Sequence, residues 1–405
     1  MKLLFVGHYF PLRGSGILRV YDLARFLVTL DNSVSVVSCM NLRDIFRVKA
    51  GEKIGNITVY RALSLDLRLS EVIIDVFQIL SIFLLSLFVI LREKVDFVII
   101  SVPPGVVGIG GFLAGKISRR KLVFDVRDRW EDHSIYFSKY MLGRFTHMIL
   151  KKLFNLLYRK ANLVISVTPS LVTYMKMRGC SKVAFIPNGA DVRLFHPRVS
   201  DEKSAIRSEL GLHDGDVALV YAGSIGAYYR PDIVIRAIHY LMEINYIPHI
   251  KFLIMGKGEP LKIRETLKLI EDLGLEHNVM FLGEQKREGV ARILSCCDLG
   301  VVPYDDSVLW ASAYSTKFFE YCSTGLPVIV TVTKDSDLAT LVRKHKVGYI
   351  VDPLNIEQFA SAVKEFCNLS EKEKKEMSDS ARNLVVNFFD RRKITKKLVE
   401  TLQGV

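Results

Sequence analysis

Along this chain, short runs rich in Val, Ile, Leu and Phe alternate with stretches in which apolar residues recur every three or four positions. The short runs read as buried strands and the longer stretches as helices, the alternation of stacked βαβ units with parallel sheets. Two such series are visible. The first predicts strands near residues 3–6, 34–38, 97–101, 122–125, 163–166 and 183–186, with a further strand-like run at 57–60. The second predicts strands near 218–222, 251–255, 279–282, 299–303, 327–331 and 348–351. A Pro, Asn, Gly and Asp segment without periodicity, from Pro187 to about Lys203, separates them. The expected fold class is therefore α/β, with two Rossmann-like domains facing a cleft: residues 1–190 with a C-terminal helix at about 388–405, and residues 191–387. From Ser370 onward the chain reads as two helices, the last expected to cross back onto the first domain.

One predicted helix stands apart. From Val72 to Leu91, 16 of 20 residues are apolar, about the length needed to cross a bilayer. The exceptions, Asp75, Gln78, Ser81 and Ser86, fall within an arc of roughly 140°, a polar stripe on an otherwise apolar helix. Strand-like runs lie on both sides, and if both join one sheet the helix must return to the side it left. A half-inserted or buried interfacial helix, an ordinary core helix and a span are all open readings, with Val72, Phe77, Phe83 and Leu84 as candidate membrane contacts. A second helix, from about Arg144 to Lys160, groups Arg144, Lys151, Lys152, Asn155 and Arg159 in an arc of roughly 100°. Phe145, Ile149, Leu153, Leu156 and Leu157 lie opposite, as they would on a surface helix packing its apolar side against a sheet.

Composition adds an address. Of 405 residues half are apolar and 24% charged, which excludes a disordered or fibrous chain. The net charge of +13 belongs to the first half, where residues up to Phe195 include 28 basic and 14 acidic side chains, against 28 and 29 in the remainder. A basic half suits an anionic partner, nucleic acid or lipid headgroups. No stacking platform or recognition motif accompanies the charge, so nucleic acid is not expected. Apolar insertion combined with cations is instead the two-signal arrangement of peripheral attachment to an anionic membrane. Six cysteines without C-x-x-C or zinc spacing fit a reducing cytoplasm. The first residues, Met1 to Gly7, are too short an apolar run for a signal peptide and read as a strand.

In doubly wound sheets ligands bind beyond the carboxyl ends of the strands. The first such loop, His8 to Arg19, holds Gly14 and Gly16, which would let backbone approach a ligand at a helix start, and Arg19 in the first turn. It is not the dinucleotide pattern G-x-G-x-x-G, because position 19 is Arg; a connection without a ligand is the alternative. Asp125, Arg127 and Asp128 follow another strand, and three charges there call for pairing or for a ligand. Arg127 in an ion pair with either Asp is the structural alternative. Asp305 and Asp306 also follow a strand, but adjacent carboxylates in a polar loop are more often solvated, and no metal site is expected. His8 and His133 are lesser candidates.

The segment Ile186-Pro-Asn-Gly-Ala-Asp191 with Phe195 and Pro197, taken with Tyr9-Phe-Pro11, Gly14, Gly16 and Arg19, resembles the GT-B glycosyltransferases of family 4, retaining enzymes that use nucleotide-sugars. Asp125-Val-Arg-Asp-Arg-Trp130 is similar to the Asp-x-Arg-Asp-Leu-Trp element of the subgroup building O-antigen and capsule sugars on polyprenyl lipids. Tyr221-Ala-Gly-Ser-Ile-Gly226, Met255-Gly-Lys-Gly258, Phe281-Leu-Gly283, Ser315-Thr-Lys-Phe-Phe-Glu-Tyr321 and Gly325-Leu-Pro-Val-Ile329 complete the resemblance almost end to end.

The resemblance implies a nucleotide-sugar donor held by Gly14, Gly16, Arg19, Gly223, Ser224, Arg230, Gly256, Gly283, Lys317, Phe318 and Glu320. Arg230 and Lys317 would contact the leaving diphosphate, and Glu320, matching the second Glu of the family's E-x7-E element, the ribose hydroxyls. Lys317 also carries a signal of its own: it sits in the first turn of a predicted helix, where the dipole disfavours a cation unless an anion is near. Asp125, Asp128, Lys317 and Arg230 are the catalytic candidates, and Arg127, Trp130, Lys151 and Lys152 the acceptor or membrane candidates. Two positions depart from the pattern: Ser312 stands where the first Glu belongs, and Ser224 where an Arg is usual. The implied reaction is a retaining, metal-independent and cofactor-free transfer of a hexosyl or N-acetylhexosaminyl group to a polyprenyl diphosphate-linked acceptor. The leaving phosphate would help to deprotonate the acceptor, and the protein would be peripheral or monotopic on the cytoplasmic membrane face. An inactive membrane-surface scaffold of the same fold and a nucleotide-sugar epimerase are the alternatives.

Overall fold

A computed structural model describes residues 1–7, 16–41, 51–65, 71–137, 141–226, 228–244 and 249–405. Gly14 and His8 lie outside them, as do the side chains of Val72 and His133. The chain divides into two units, Met1–Pro187 with Arg392–Val405, and Asn188–Arg391. Ala190 donates its N–H to Phe389 O (3.0 Å), and Arg391 donates its own to Ala190 O (3.0 Å). The Arg391 side chain adds a bond to Gly189 O at 2.8 Å, so the crossing strands of chain before Asp191 and after Phe388 are tied together within the second unit.

The first unit is built on strands β1 (Lys2–Val6), β2 (Ser33–Asn41), β3 (Gly51–Ile54), β4 (Ile57–Ser64), β5 (Phe97–Val102), β6 (Lys121–Val126), β7 (Leu163–Ser166) and β8 (Val183–Phe185). They form one sheet in the order β3-β4-β2-β1-β5-β6-β7-β8. All neighbours are parallel except the β3–β4 hairpin, an element without a hydrophobic run that the sequence pattern did not announce. The connecting helices are α1 (Gly16–Val28), α2 (Glu71–Glu93), α3 (Gly105–Ile117), α4 (Trp130–Phe137), α5 (Met141–Arg159) and α6 (Pro169–Met177). Ile82, Val89 and Ile90 of α2, Val107 and Phe112 of α3 and Phe154 and Tyr158 of α5 share one core against Val6, Ile100 and Phe124 of the sheet. Helices α2, α3 and α5 therefore cover the same sheet face.

The second unit carries β9 (Val217–Ala222), β10 (Ile250–Met255), β11 (Val279–Gly283), β12 (Leu299–Val302), β13 (Val328–Thr331) and β14 (Gly348–Val351) in the order β11-β10-β9-β12-β13-β14. Every pairing is parallel, and the strands read as nearly continuous apolar runs because both faces are covered. Its helices are α7 (Ser200–Glu209), α8 (Pro231–Glu243), α9 (Pro260–Asp272), α10 (Arg287–Leu294), α11 (Thr316–Ser323), α12 (Asp337–His345), α13 (Ile356–Asn368) and α14 (Glu371–Leu384). The last helix, α15 (Arg391–Gln403), returns to the first unit as expected from sequence, with the Arg392 guanidinium 5.5 Å from the Phe26 ring of α1. The strand order reverses between β1 and β5 in one unit and between β9 and β12 in the other. Each reversal opens a crevice at the carboxyl ends of the strands, where the candidate residues lie.

Candidate functional site

In the second unit the loop after β9 packs against the loop after β10. Gly223 and Ile225 donate N–H groups to Met255 O and Lys257 O, both at 2.9 Å, and the Gly256 N–H reaches Gly283 O at 2.8 Å. The approach is so close that a Cβ on Gly256 would be driven into the Gly223 carbonyl, and one on Gly258 into that of Ile225. Glycine is thus required there by backbone contact, with Gly256 (φ +149°) and Gly283 (φ +65°) also in conformations that L side chains rarely adopt.

Into this loop reaches Lys317. A Cβ on Gly223 would meet its Cε at 2.7 Å and its Nζ at 3.0 Å, so the glycine makes the space the lysine occupies. The ammonium lies 3.6 Å from the centroid of the Tyr229 ring and 5.5 Å from that of Tyr221, and forms no ion pair among the described residues. It is 9% exposed, at the start of α11, whose N-cap Ser315 makes no side-chain bond to the first-turn N–H groups. Lys317 is thus a nearly buried cation at the positive end of a helix dipole, with aromatic faces beside it and no carboxylate partner among the described residues, an arrangement whose electrostatics favour an anion. The aromatic wall continues: Tyr229 stacks on Tyr304 (5.5 Å) and Tyr304 on Trp310 (3.9 Å). Neither tyrosine nor Trp310 figures among the residues marked from sequence, because they come from the ends of different strands and no local spacing joins them.

Other donor candidates divide. Glu320, one helical turn beyond Lys317, is 9% exposed, with Arg287 at 4.0 Å. Arg230 stands at the N-cap of α8 and gives one guanidinium edge, Nε and Nη2, to Asp232 at 2.9 and 2.8 Å, so its charge is already shared. Ser224 is exposed and accepts at its carbonyl from the Tyr221 hydroxyl at 2.6 Å. Phe318 requires a correction: it is fully buried, edge-on to Phe319 at 5.2 Å, and belongs to the core rather than to a ligand surface. Asp305 accepts from the Ser307 N–H (3.1 Å) and from the Trp310 indole, which makes it a brace for the aromatic wall.

In the first unit two candidates are corrected together. Arg19 and Asp125 close on each other: the guanidinium meets the carboxylate at 2.9 to 3.1 Å, and Ser101, paired with Asp125 across β5 and β6, adds a bond at 3.2 Å. Arg19 also donates to Ile186 O and Pro187 O, both at 2.8 Å. With exposures of 3% and 0% neither faces a ligand; they clamp the chain leaving the unit to its sheet. Of Gly14 and Gly16, only the second is described, opening α1. Arg127 donates to Val102 O (3.3 Å) and Pro103 O, with the charges of Asp128 and Asp125 nearby. Trp130 sits edge-on to Phe154 at 5.0 Å with its N–H toward the Tyr158 hydroxyl (3.4 Å), a packing role. Asp128 is different. Its Oδ1 is closed off from water with no partner, and burial pushes its carboxyl up to about 6, Glu131 adding to the rise and Arg127 and the Trp130 N–H opposing it.

The outer surface of this unit reverses the expectation for α5 and splits the polar stripe of α2. On α2, Asp75 is exposed and Ser81 half-buried, whereas Gln78 donates to Cys39 Sγ (3.2 Å) and Ser86 is fully buried. Close packing explains it, since Gly110 of α3 lies where a Cβ would meet Ile79 O at 2.8 Å and leaves room only for small or flexible neighbours. The face left outside carries Ile73, Val76, Leu80, Leu84, Phe88 and Leu91, each at least 49% exposed. Phe77 and Phe83 are half-buried. On α5, Phe145, Ile149, Leu153 and Leu156 are likewise exposed, while Phe154, Leu157 and Tyr158 face the sheet. Lys152 is exposed beside them, whereas Lys151 is paired with Asp132 and is not a free cation.

This geometry can be set beside known proteins. Residues 18–194 match the family model for Glycosyltransferase Family 4, and residues 202–384 that for Glycosyl transferases group 1. An Escherichia coli protein described as UDP-Gal:alpha-D-GlcNAc-diphosphoundecaprenol alpha-1,3-galactosyltransferase is 30% identical over 213 residues, 52% of this chain and 51% of that one. The chain spans about half, or less, of the length of the curated relatives it matches. Sucrose-phosphate synthase from Thermosynechococcus elongatus superposes with a TM-score of 0.80 at 15% identity, covering 100% of this chain and 98% of that one. Anabaena HepE in complex with UDP-glucose gives 0.75 at 19%, covering 100% of both chains. Two parallel-sheet units, glycine loops around a helix-start lysine and two family matches in tandem lead to one statement: the chain belongs to the GT-B glycosyltransferases, with a family 4 domain followed by a group 1 domain.

Proposed function

We propose that this glycosyltransferase moves a hexosyl or N-acetylhexosaminyl group from a nucleotide-sugar, with retention and without a metal, to a polyprenyl diphosphate-linked acceptor at the cytoplasmic membrane face. The observation that carries the donor half is Lys317, nearly buried, without an ion pair, beside Gly223 at the open start of α11. Bond cleavage at the anomeric carbon leaves a diphosphate whose charge grows in the transition state, and a preorganised cation with helix N–H groups stabilises it there. The departing phosphate oxygen takes the acceptor proton on the same face, which keeps the configuration. Glu320 holds the ribose hydroxyls. The choice of donor and acceptor is supported by the E. coli relative's description and by HepE's complex with UDP-glucose. UDP-hexoses and UDP-N-acetylhexosamines with a short polyprenyl diphosphate-sugar are the substrates to test. Label is expected in the lipid product, with EDTA without effect; no transfer from any UDP-, GDP- or dTDP-sugar refutes the reading.

The acceptor half draws support from the apolar face of the first unit. Helix α2 is long and apolar enough to cross a membrane, yet it joins β4 and β5 of one sheet and packs Ile82, Val89 and Ile90 into that sheet's core. It therefore lies in the membrane plane, its outward ridge about 27 Å long at 1.5 Å per residue. Submerging six large apolar side chains is worth on the order of 10 kcal/mol before immobilisation costs, enough for stable attachment. Replacing Leu80, Leu84 and Phe88 together by Gln is expected to reduce co-sedimentation with phosphatidylcholine–phosphatidylglycerol vesicles at least tenfold. The melting temperature should not fall, since these side chains are exposed. Undiminished sedimentation overturns the assignment.

A further inference from the structure

At the foot of the first unit, beside the starts of β1, β5 and β6, lies a cavity of about 330 Å³ lined by Met1, Asp96, Phe97, Arg119, Arg120 and Lys121. We propose that this cavity binds a phosphate-ester anion, supplied at the membrane by a phospholipid headgroup.

Three consecutive cations after a helix usually serve as C-terminal caps, complementing the dipole. Here that work is done by other groups. Ser118 takes Ala114 O with its N–H (3.1 Å) and its hydroxyl (2.7 Å). The Arg119 N–H takes Lys116 O (3.1 Å) and that of Arg120 takes Gly115 O (2.9 Å). The carbonyls at the end of α3 are thus met without any guanidinium. Arg119 adopts a left-handed conformation (φ +54°), a position where Gly or Asn is usual, and the turn it makes directs the next residues to the cavity.

Arg120 supplies the second, independent observation. Its Nε is shielded from water and has no hydrogen-bond partner among the described residues. The cavity's one carboxylate, Asp96, accepts the Lys2 backbone N–H at 2.8 Å and pairs with none of the three cations. Lys121 lies 5.2 Å from the Phe97 ring, an aromatic floor beneath the charge. Three cations without a counter-ion among the described residues, around a cavity of this size, fit a phosphate group, which accepts guanidinium N–H groups bidentately. Next to the cavity α3 exposes Ile117 (63%) and Leu113 (41%), and α3 packs along α2 with its apolar ridge. The cations therefore stand where headgroup phosphates would lie when the ridge is inserted.

The lipid source rests on the membrane reading above; the phosphate site does not, and the two fail separately. Inorganic phosphate titrated into the full chain is expected to raise the melting temperature of the wild type saturably, against a chloride control of equal ionic strength, and to do nothing to Arg120→Gln. Arg120→Lys, which keeps the charge, should recover part of the shift. On vesicles containing phosphatidylglycerol, Arg120→Gln should bind about tenfold more weakly, while Lys94→Gln, an exposed cation outside the cavity, changes binding less than twofold. A phosphate shift without a vesicle effect supports the site with a soluble phosphate ester as its source. Equal vesicle losses in both variants with no saturable phosphate shift mean a diffuse surface charge only, and overturn the proposal.

Discussion

Lys317→Met is expected to cost 10²- to 10³-fold in kcat/KM and a comparable factor in affinity for a nucleoside diphosphate, with the fold retained. Methionine matches the lysine stem in length, so the space beside Gly223 stays filled and the contact with Tyr229 survives as sulfur on an aromatic face. What disappears is the charge that the proposed reaction sets against the leaving diphosphate. Its removal also relieves a cation from the positive end of α11, so the melting temperature should hold or rise. The decisive comparison is between ligands: affinity for UDP should fall steeply while affinity for uridine, which has no phosphate, stays within about twofold. A loss shared equally by UDP and uridine would show that Lys317 shapes the pocket without meeting the phosphate.

Lys317 was visible in the sequence because a cation in the first turn of a helix is a local anomaly. Its surroundings were not, since Tyr229, Tyr304 and Trp310 converge only when β9 and β12 become neighbours. The same distinction runs through the fold. Strands of continuous Val, Ile and Leu announced themselves to within a residue or two, except that β2 and β4 run three and four residues further than their apolar cores, whereas β3, with the sequence Gly-Glu-Lys-Ile and an exposed face, carries no such signal. Asp125 looked like a site residue because charge at a strand end is costly; the partner that meets the cost, Arg19, is 106 residues away and its contribution is tertiary. For α2 and α5, periodicity could not say which face the sheet would cover, and it grouped residues that the structure separates: Leu157 faces the core while Phe145, Ile149 and Leu153 are exposed, and Asp75 is exposed while Gln78 and Ser86 are buried. When both faces are largely apolar, shape decides, and Gly110 admits the side of α2 bearing Gln78 and Ser86. The face rejected by the core is the one that a membrane would take.

Asp128→Asn should reveal a carboxylate kept at the expense of stability. Burial raises its carboxyl to about 6, above the ordinary value near 4, so the folded chain binds a proton that the unfolded chain has released. The stabilisation of the protonated form is complete below about pH 4 and is lost as the pH rises through 6; above that the buried charge burdens the fold by on the order of 2 kcal/mol. Asparagine has nearly the same shape and no charge. Denaturant melts should therefore find the variant more stable than the wild type at pH 8 and equal to it near pH 4. Activity should move the other way. If the charged Asp128 beyond the end of β6 serves the acceptor hydroxyl or the charge developing on the donor sugar, the wild-type rate climbs through an apparent pKa near 6, and the variant loses that limb together with about 10² of its rate. A variant that is less stable at every pH would mean that the carboxylate anchors the loop after β6. One that gains stability at pH 8 with turnover intact would remove Asp128 from the chemistry. Stability gained and turnover lost in the same substitution is the signature of a group retained for function, because nothing in folding selects for a buried carboxylate with one oxygen left unbonded.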